Sequence, residues 1–291
     1  MMRAAQARKH EVWICEQSGL HWNKGSVGAH ATRITLSDDD DDWYRPHETA
    51  ARPLREFRAV LMRKDPPFDM EYVASTWLLG EAERHGARVF NSPQALRDHN
   101  EKFAIAEFPQ FTVPSLVSRS MEDLQGFVEE HRNVVLKRLD GMGGAGIFRV
   151  RHDDPNRNVI VETVSSFGTL SVMAQRDTPE IVQGDKRVLL IDGKIVPHCL
   201  ARIPKAGESR GNLAAGARGE AQPVTERHRE IAAAIGPQLA ARGLLLVGLD
   251  VIGDWMTEVN VTSPTCFREI RDQTGFDVAD LFVRALERKA A

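Results

Sequence analysis

Near the C-terminus, Gly248-Leu-Asp250-Val-Ile-Gly-Asp254-Trp-Met-Thr-Glu258-Val-Asn260-Val-Thr262-Ser263-Pro264 sets two carboxylates and an amide at spacings that suit a hard cation. Glu258 and Asn260 are two apart, so on a strand both side chains point to one face. Asp250 closes the apolar run Leu244 to Leu249. Such an all-oxygen set suits Mg²⁺, which is held by one or two carboxylates together with substrate phosphates. The chemistry it points to is phosphoryl transfer.

A second group could meet phosphate directly. Asp140-Gly141-Met-Gly143-Gly144-Ala-Gly146 lies between two expected strands, and its glycines let backbone N–H groups approach phosphate oxygens closely. It lacks the Gly-Lys-Ser/Thr ending of a P-loop and opens no helix, so a simple tight turn fits the pattern equally well. Lys137 ends the strand Val134-Val-Leu-Lys137 beside this loop, placed as a point charge for phosphate. Lys102 stands in Asn100-Glu-Lys102. Each lysine, taken alone, also reads as an ordinary surface residue. Arg63, Arg187, Arg202, Arg210 and Arg218 could grip carboxylate or phosphate in bidentate fashion, or could be solvated. Among the ten histidines no pair has metal-ligand spacing on a helix, and no Ser/His/Asp order stands out, which gives little support to zinc or hydrolase chemistry.

The chain that positions these groups has 291 residues, 42% hydrophobic, enough for two or three compact units. A net charge of -3 gives no electrostatic case for nucleic acid or an anionic membrane, so anion binding has to be local. Cys15, Cys199 and Cys266 form neither a metal spacing nor a disulfide framework, which fits a reducing cytosol. No run approaches the roughly 18 apolar residues of a membrane span. Periodicity predicts strands at Val12–Cys15, Ala31–Leu36, Ala59–Met62 and Val89–Phe90, and helices over 69–86 and from Ser92. Asp38 to Asp42 reads as a solvated loop. Further on come strand, helix (Met121–His131), strand (Val134–Lys137) and strand (Ile147–Val150), then three strands over 172–204. Asp192-Gly193 between apolar runs marks a hairpin. Residues 205–220 read as a long lid-like loop. Helices follow over 225–242 and 276–289.

These segments, in this order, resemble the bacterial glutathione synthetases of the ATP-grasp superfamily. The matching stretches are Met62-Arg-Lys-Asp-Pro-Pro-Phe-Asp69, Ser92-Pro-Gln-Ala-Leu-Arg-Asp98, Asn100-Glu-Lys102, Leu136-Lys-Arg-Leu-Asp-Gly-Met-Gly-Gly144, Gly184-Asp-Lys-Arg187, Cys199-Leu-Ala-Arg-Ile-Pro204, Arg210-Gly-Asn-Leu-Ala-Ala-Gly216, Gly248-Leu-Asp250 and Thr257-Glu-Val-Asn-Val-Thr-Ser-Pro-Thr265. The resemblance implies an α/β ATP-grasp fold. Its N-terminal parallel-sheet (pre-ATP-grasp) domain spans residues 1–98, a central subdomain 99–180, and a C-terminal subdomain 181–291 with the lid at 205–220. It implies ligation of γ-glutamylcysteine and glycine through an acyl phosphate, with ATP and Mg²⁺ (Mn²⁺ as the substitute), in a cytoplasmic homo-oligomer. Lys102, Lys137, Gly143 and Gly144 would hold ATP phosphates. Asp250, Glu258 and Asn260 would hold the metal, Arg187 and Arg210 would steady the transferring group, and Arg202, Asn212, Ser263 and Thr265 would lie near peptide or glycine. Rival readings are another ATP-grasp carboxylate–amine ligase and a non-catalytic nucleotide-binding paralogue.

Three departures from the family pattern stand out. The chain lacks about twenty residues of the family's beginning, including a first strand, so Met1 or Met2 looks like an internal methionine and a sheet edge is expected to be unpaired. Asp177 and Thr178 stand where the family usually has Tyr-Leu, in the segment lining the adenine pocket. Arg138 replaces a proline after Lys137, which is expected to loosen the glycine loop.

Overall fold

The computed structural model describes Met1 to Ala291 except residues 142–145, 206, 208–210, 212, 214 and 215. Three layered units follow one another along the chain. The first begins with α1 (Met2–Ala7), β1 (Val12–Ile14), β2 (Leu20–Asn23), β3 (Ser26–Leu36) and β4 (Tyr44–Pro53). Strand β3 pairs antiparallel with β1, β2 and β4. The β3–β4 hairpin is longer than sequence predicts. Tyr44-Arg-Pro-His-Glu-Thr-Ala-Ala-Arg-Pro53 has no apolar alternation and is largely exposed. It is a strand only because β3 supplies its partner, and its prolines are tolerated because it pairs on one side alone. The acidic run forms the connection, as expected, but Asp40 is not merely solvated. It accepts from Arg3 at 2.9 Å and from Arg268 at 2.6 Å.

The unit continues with β5 (Val60–Leu61), α2 (Met70–Arg84), β6 (Val89–Phe90) and α3 (Pro93–Asp98), with β5 and β6 parallel. Helix α2 starts where the Asp69 carboxylate accepts the Tyr72 N–H. Asn91, just past β6, anchors the unit to the C-terminal sheet. Its amide donates to the carbonyls of Leu246 and Val261 and accepts the Leu246 N–H.

The central unit holds β7 (Ser115–Ser118), α4 (Met121–His131), β8 (Asn133–Arg138), β9 (Ile147–Arg151), α5 (Arg157–Val164) and β10 (Val172–Arg176). Its antiparallel sheet runs β7-β10-β8-β9. Val134 and Leu136 pack with Leu124, Val128, Val161 and Val164 of the two helices. Two-residue periodicity therefore turns Lys137 to the opposite face.

The last unit contains β11 (Asp185–Ile191), β12 (Lys194–Ile195), β13 (His198–Ile203), β14 (Arg218–Pro223), α6 (Glu226–Ala241), β15 (Leu246–Ile252), β16 (Trp255–Asn260), α7 (Phe267–Thr274) and α8 (Val278–Lys289). The sheet order is β14-β13-β11-β15-β16, with β12 pairing β11. Asp192 and Gly193 make the β11–β12 turn with φ of 52° and 73°, the positive values a two-residue hairpin of this kind requires. Val188, Leu190, Val247 and Leu249 pack with Ile231, Ile235 and Leu239 of α6. Leu189, Ile191, Leu200 and Leu246 pack with Ile270, Phe282 and Val283 of α7 and α8. Helices α5 and α7 are additions to the sequence reading. Among the described residues no helix is long and apolar enough to cross a membrane.

Candidate functional site

The α7/α8 face of the C-terminal sheet is apolar at one end and charged at the other. On β11 the residues that share the face of Leu189 and Ile191 are Asp185 and Arg187. On β13 the partner of Leu200 is Arg202, and on β15 the same series runs Leu246, Gly248, Asp250. Register aligns them: Arg187 stands opposite both Leu200 and Asp250, and Asp185 opposite Arg202. Strand β16 adds Glu258 opposite Asp250 and Asn260 opposite Gly248. Six chemistry-bearing residues from four strands thus share one face through alternation within each strand and register between strands.

The charges are tightly paired. Arg187 donates from Nε to Asp250 Oδ1 at 2.6 Å and from Nη2 to Oδ2 at 3.1 Å. Arg202 Nη2 lies 2.9 Å from Asp250 Oδ2 and 2.5 Å from Asp185 Oδ2. Arg187, Arg202 and Asp250 are buried. Burial pushes the Asp250 carboxyl up, but the two guanidinium groups outweigh it and hold the acid well below its usual range. Asp185 goes the other way, to about 7, because burial and the nearby Asp250 and Glu258 charges prevail over Arg202 and Arg187. Its Oδ1 is buried without a hydrogen-bond partner among the described residues. Gly248 makes the Arg187 position accessible, since a Cβ there would sit 2.8 Å from Arg187 Cδ.

Two lysines from before the C-terminal unit reach this face, Lys137 at the end of β8 and Lys102 from the segment between α3 and β7. Lys137 Nζ is 3.1 Å from Glu258 Oε1 and donates to the Thr257 carbonyl at 3.3 Å. Burial raises the Glu258 carboxyl, but Lys137 and Lys102 overcome it, so the carboxylate is held ionised. Lys102 is buried and donates to the Gly141 carbonyl at 2.5 Å, which ties it to the start of the glycine loop. Glu101, to which sequence reading assigned no role, accepts from the N–H groups of Val261 and Thr262 and from the Thr262 hydroxyl at 2.7 to 2.9 Å. Its only sequence signal was its place beside Lys102.

The donor chemistry fits a divalent cation. Asp250, Glu258 and Asn260 are hard oxygen donors on one sheet face. Asn260 donates its amide N–H to Gly248 O at 3.3 Å, which leaves its Oδ1 free to accept. Lys137 occupies one Glu258 oxygen. Asp250 has to share its oxygens with two arginines. Among the described residues no three His, Cys, Asp or Glu side chains form a metal cluster by themselves, in keeping with a set that needs an amide and a ligand phosphate.

Ser263 and Thr265 follow β16, and the Ser263 hydroxyl donates to the Asp65 carboxylate. Thr265 is exposed and its hydroxyl is 3.8 Å from Cys266 Sγ. Gly143, Gly144, Arg210 and Asn212 lie outside the described residues. At the hinge, the Asp177 carboxylate pairs with Arg149 and its N–H donates to Asn133 O at 2.9 Å, while Thr178 is buried. Arg138 donates to both Asp140 carboxylate oxygens, at 2.9 and 2.7 Å; the loosening expected of the glycine loop falls on residues outside those described.

Comparison with known proteins matches residues 1–97 to the prokaryotic glutathione synthetase N-terminal domain and residues 101–275 to the prokaryotic glutathione synthetase ATP-grasp domain. The glutathione synthetase of Ralstonia nicotianae is 59% identical over 290 residues, covering 100% of this chain and 90% of that protein. That of Pseudomonas aeruginosa is 52% identical over 291 residues, covering 100% and 92%. Among solved structures, the ATP-grasp ligase PsnB complexed with precursor peptide PsnA2 and AMPPNP gives a TM-score of 0.62 at 18% identity, covering 99% of this chain and 92% of that one. D-cycloserine synthetase DcsG gives 0.64 at 17% identity, covering 82% and 86%. The structural likenesses are likenesses of fold.

Proposed function

The chain belongs to the prokaryotic glutathione synthetase family, and we propose that its paired-charge face joins the cysteinyl carboxylate of γ-glutamylcysteine to the amine of glycine. The protein is an ATP-dependent ligase with an ATP-grasp fold. In the reaction a carboxylate oxygen bonds to the γ-phosphorus of ATP and ADP leaves. The glycine nitrogen then bonds to the acyl carbon, a proton is lost from nitrogen, and phosphate leaves. The cytoplasm, which supplies ATP, is the compartment this reading implies.

The observation that carries the reading is the Asp185–Arg202–Asp250–Arg187 array, continued through Glu258 to Lys137 of the facing sheet. Phosphoryl transfer asks for positioning and charge neutralisation far more than for covalent help from the protein. Lys137 of the central unit and Lys102 of the segment that leads into it bring two ammonium groups toward phosphate oxygens. Arg187 and Arg202 bring two guanidinium groups from the sheet, already ordered by Asp250 and Asp185. Because their carboxylate partners fix them before ligand arrives, little reorganisation is needed as charge develops. We assign Asp250, Glu258 and Asn260 as holders of Mg²⁺, which when bound would neutralise phosphate charge and orient the γ-phosphoryl group. By their place in the family motifs, Gly143 and Gly144 are assigned to the ATP phosphates, Arg210 with Arg187 to the transferring phosphoryl group, and Arg202, Asn212, Ser263 and Thr265 to peptide or glycine. The loop expected over 205–220 ends at Ala217, because Arg218 to Glu220 already pair with β13 as the start of β14; the remaining segment, 205–217, is assigned as the lid that keeps water from the acyl phosphate.

The test is the purified chain with γ-glutamylcysteine, glycine, ATP and Mg²⁺. Stoichiometric glutathione, ADP and phosphate are expected. ADP release with a different amine acceptor and none with glycine would move the protein to another ligase specificity. No ADP with any acceptor would overturn the assignment for this chain.

A further inference from the structure

Strand β16 ends the sheet order, so one of its edges has no strand beside it. A bare edge carries a row of unmatched N–H and C=O groups. Here the segment between α3 and β7 covers it. The Val259 N–H donates to the Glu101 carbonyl at 2.8 Å, and His99 Nε2 lies 3.2 Å from the Val259 carbonyl. A single oxygen of the Glu101 side chain, Oε1, then accepts the Val261 N–H at 2.7 Å, the Thr262 N–H at 2.8 Å and the Thr262 hydroxyl at 2.9 Å. Hydrogen bonds to an ionised carboxylate are shorter and stronger than those to a neutral acceptor.

Between the two attachments stands Asn260. Val259 and Val261 are buried in the core beneath α6, so alternation turns Asn260 to the opposite face, with Glu258. On its other edge Asn260 pairs with Gly248 of β15. Glu101 therefore grips the chain immediately before and immediately after Asn260, with its main chain on one side and its carboxylate on the other. The next residue is Lys102. Its N–H is accepted by Asn100 Oδ1 at 3.1 Å, and its ammonium donates to the Gly141 carbonyl at 2.5 Å. The Asn100 amide donates in turn to the Leu139 carbonyl at 3.2 Å. Consecutive residues thus touch the approach to the glycine loop and the end of the strand that bears Asn260. Water could satisfy an exposed edge. A carboxylate held on main-chain donors fixes the backbone instead, and groups that hold a metal ligand in place tune how well it binds.

We propose that Glu101 is a positioning residue, which aims the Asn260 amide oxygen at a divalent cation and fixes that aim relative to Lys102. The proposal rests on the ligase reading above for the metal role of Asn260 and the phosphate role of Lys102. It makes the segment between the N-terminal and central units the link between the metal end and the nucleotide end of the site.

The test is calorimetric titration of AMPPNP, a non-hydrolysable ATP analogue, into wild type, Glu101→Ala and Glu101→Gln, with excess Mg²⁺ and again with EDTA. The readout is the ratio of the two Kd values, the factor by which metal tightens nucleotide binding. Glu101→Ala is expected to cut that ratio about ten-fold or to unity, and to leave Kd in EDTA within about two-fold of wild type, since losing a group behind a metal ligand costs roughly 10- to 100-fold in metal affinity. Glu101→Gln keeps the shape and an acceptor oxygen but loses the charge, and should give an intermediate ratio. A side chain that only covers the strand edge would lower the Tm of the ligand-free protein and leave the ratio unchanged. If Glu101→Ala fails to fold, Glu101→Gln decides. An unchanged ratio overturns the proposal, as does an equal loss of affinity with Mg²⁺ and with EDTA, or wild-type binding that is indifferent to metal. Product formation judges the ligase reading separately. A wild type that makes no glutathione, but whose metal-dependent ratio falls in the Glu101 variants, loses the reaction and keeps the role of Glu101.

Discussion

Asp185 carries the largest imbalance between burial and partners on the paired-charge face. One oxygen meets Arg202 and the other meets nothing among the described residues. Its folded value of about 7 stands above the ordinary 3.8. Between these values the folded protein retains a proton that the unfolded chain has released. Stability from this group is therefore fully present below about pH 3.8 and is lost as pH rises to about 7. Asparagine keeps the shape and removes the titration. The Tm of Asp185→Asn, relative to wild type, is expected to rise from pH 4 to pH 7 and to level off above that. A difference constant over the range would show that Asp185 is ionised throughout. The variant also leaves Arg202 with Asp250 as its one carboxylate among the pairs described, so the face would lose part of its order even where the protein is more stable.

At the scale of elements, two close contacts set how the last unit is assembled. Helix α6 meets the β11–β12 turn at Gly236, where a Cβ would lie 2.3 Å from the Gly193 carbonyl oxygen. Gly236→Ala therefore has to push apart two pieces of backbone. The expected cost is about 1–3 kcal/mol, or more, read as a lower urea midpoint. Gly80→Ala in α2, where nothing lies within 4 Å, is the matched control and should gain up to about 1 kcal/mol. The start of α6 is sensitive to acid. The Thr225 hydroxyl accepts the His228 N–H, and His228 Nδ1 accepts the Thr225 N–H. Burial, with Lys186 adding to it, lowers the His228 value below 6.5. The unfolded chain thus takes up the proton first, and this contribution to stability is full above pH 6.5 and lost as pH falls below it. His228→Gln keeps an acceptor at the same helix position. Thermal melts should show wild type losing ground to His228→Gln between pH 6.5 and 5, with no such drift above pH 7. The elements that carried strong periodicity, such as α6 and the β11–β12 hairpin, were legible from the chain. Strand β4 was not, because its exposed polar residues record no period and only pairing with β3 makes it a strand.

Across the whole molecule, the candidate site depends on register between distant segments. That Glu258 and Asn260 share a face could be read from their spacing alone. That Arg187 lands on Asp250, 63 residues away, could not. The β11–β15 register decides it, and nothing local to either strand encodes that register. Asp185 and Glu101 went unassigned for the same reason, since their partners come from other elements. The site also spans two units. Lys137 arrives from the central unit, Lys102 from the segment between α3 and β7, and Glu258 from the C-terminal sheet. A ligand bound between them adds its binding free energy to the stability of both. With a non-hydrolysable ATP analogue and Mg²⁺ at about 100 times Kd, the gain is about 2.7 kcal/mol, or a rise in Tm of about 5 °C for a chain of this size. Chelating the metal should remove most of that rise. Glu258→Gln should show a much smaller difference between metal-replete and metal-free nucleotide, because it replaces an ionised ligand with a neutral one beside Lys137 and Lys102. If wild type and Glu258→Gln show the same metal-dependent shift, then Glu258 serves only to hold Lys137, and the metal set has to be sought without it.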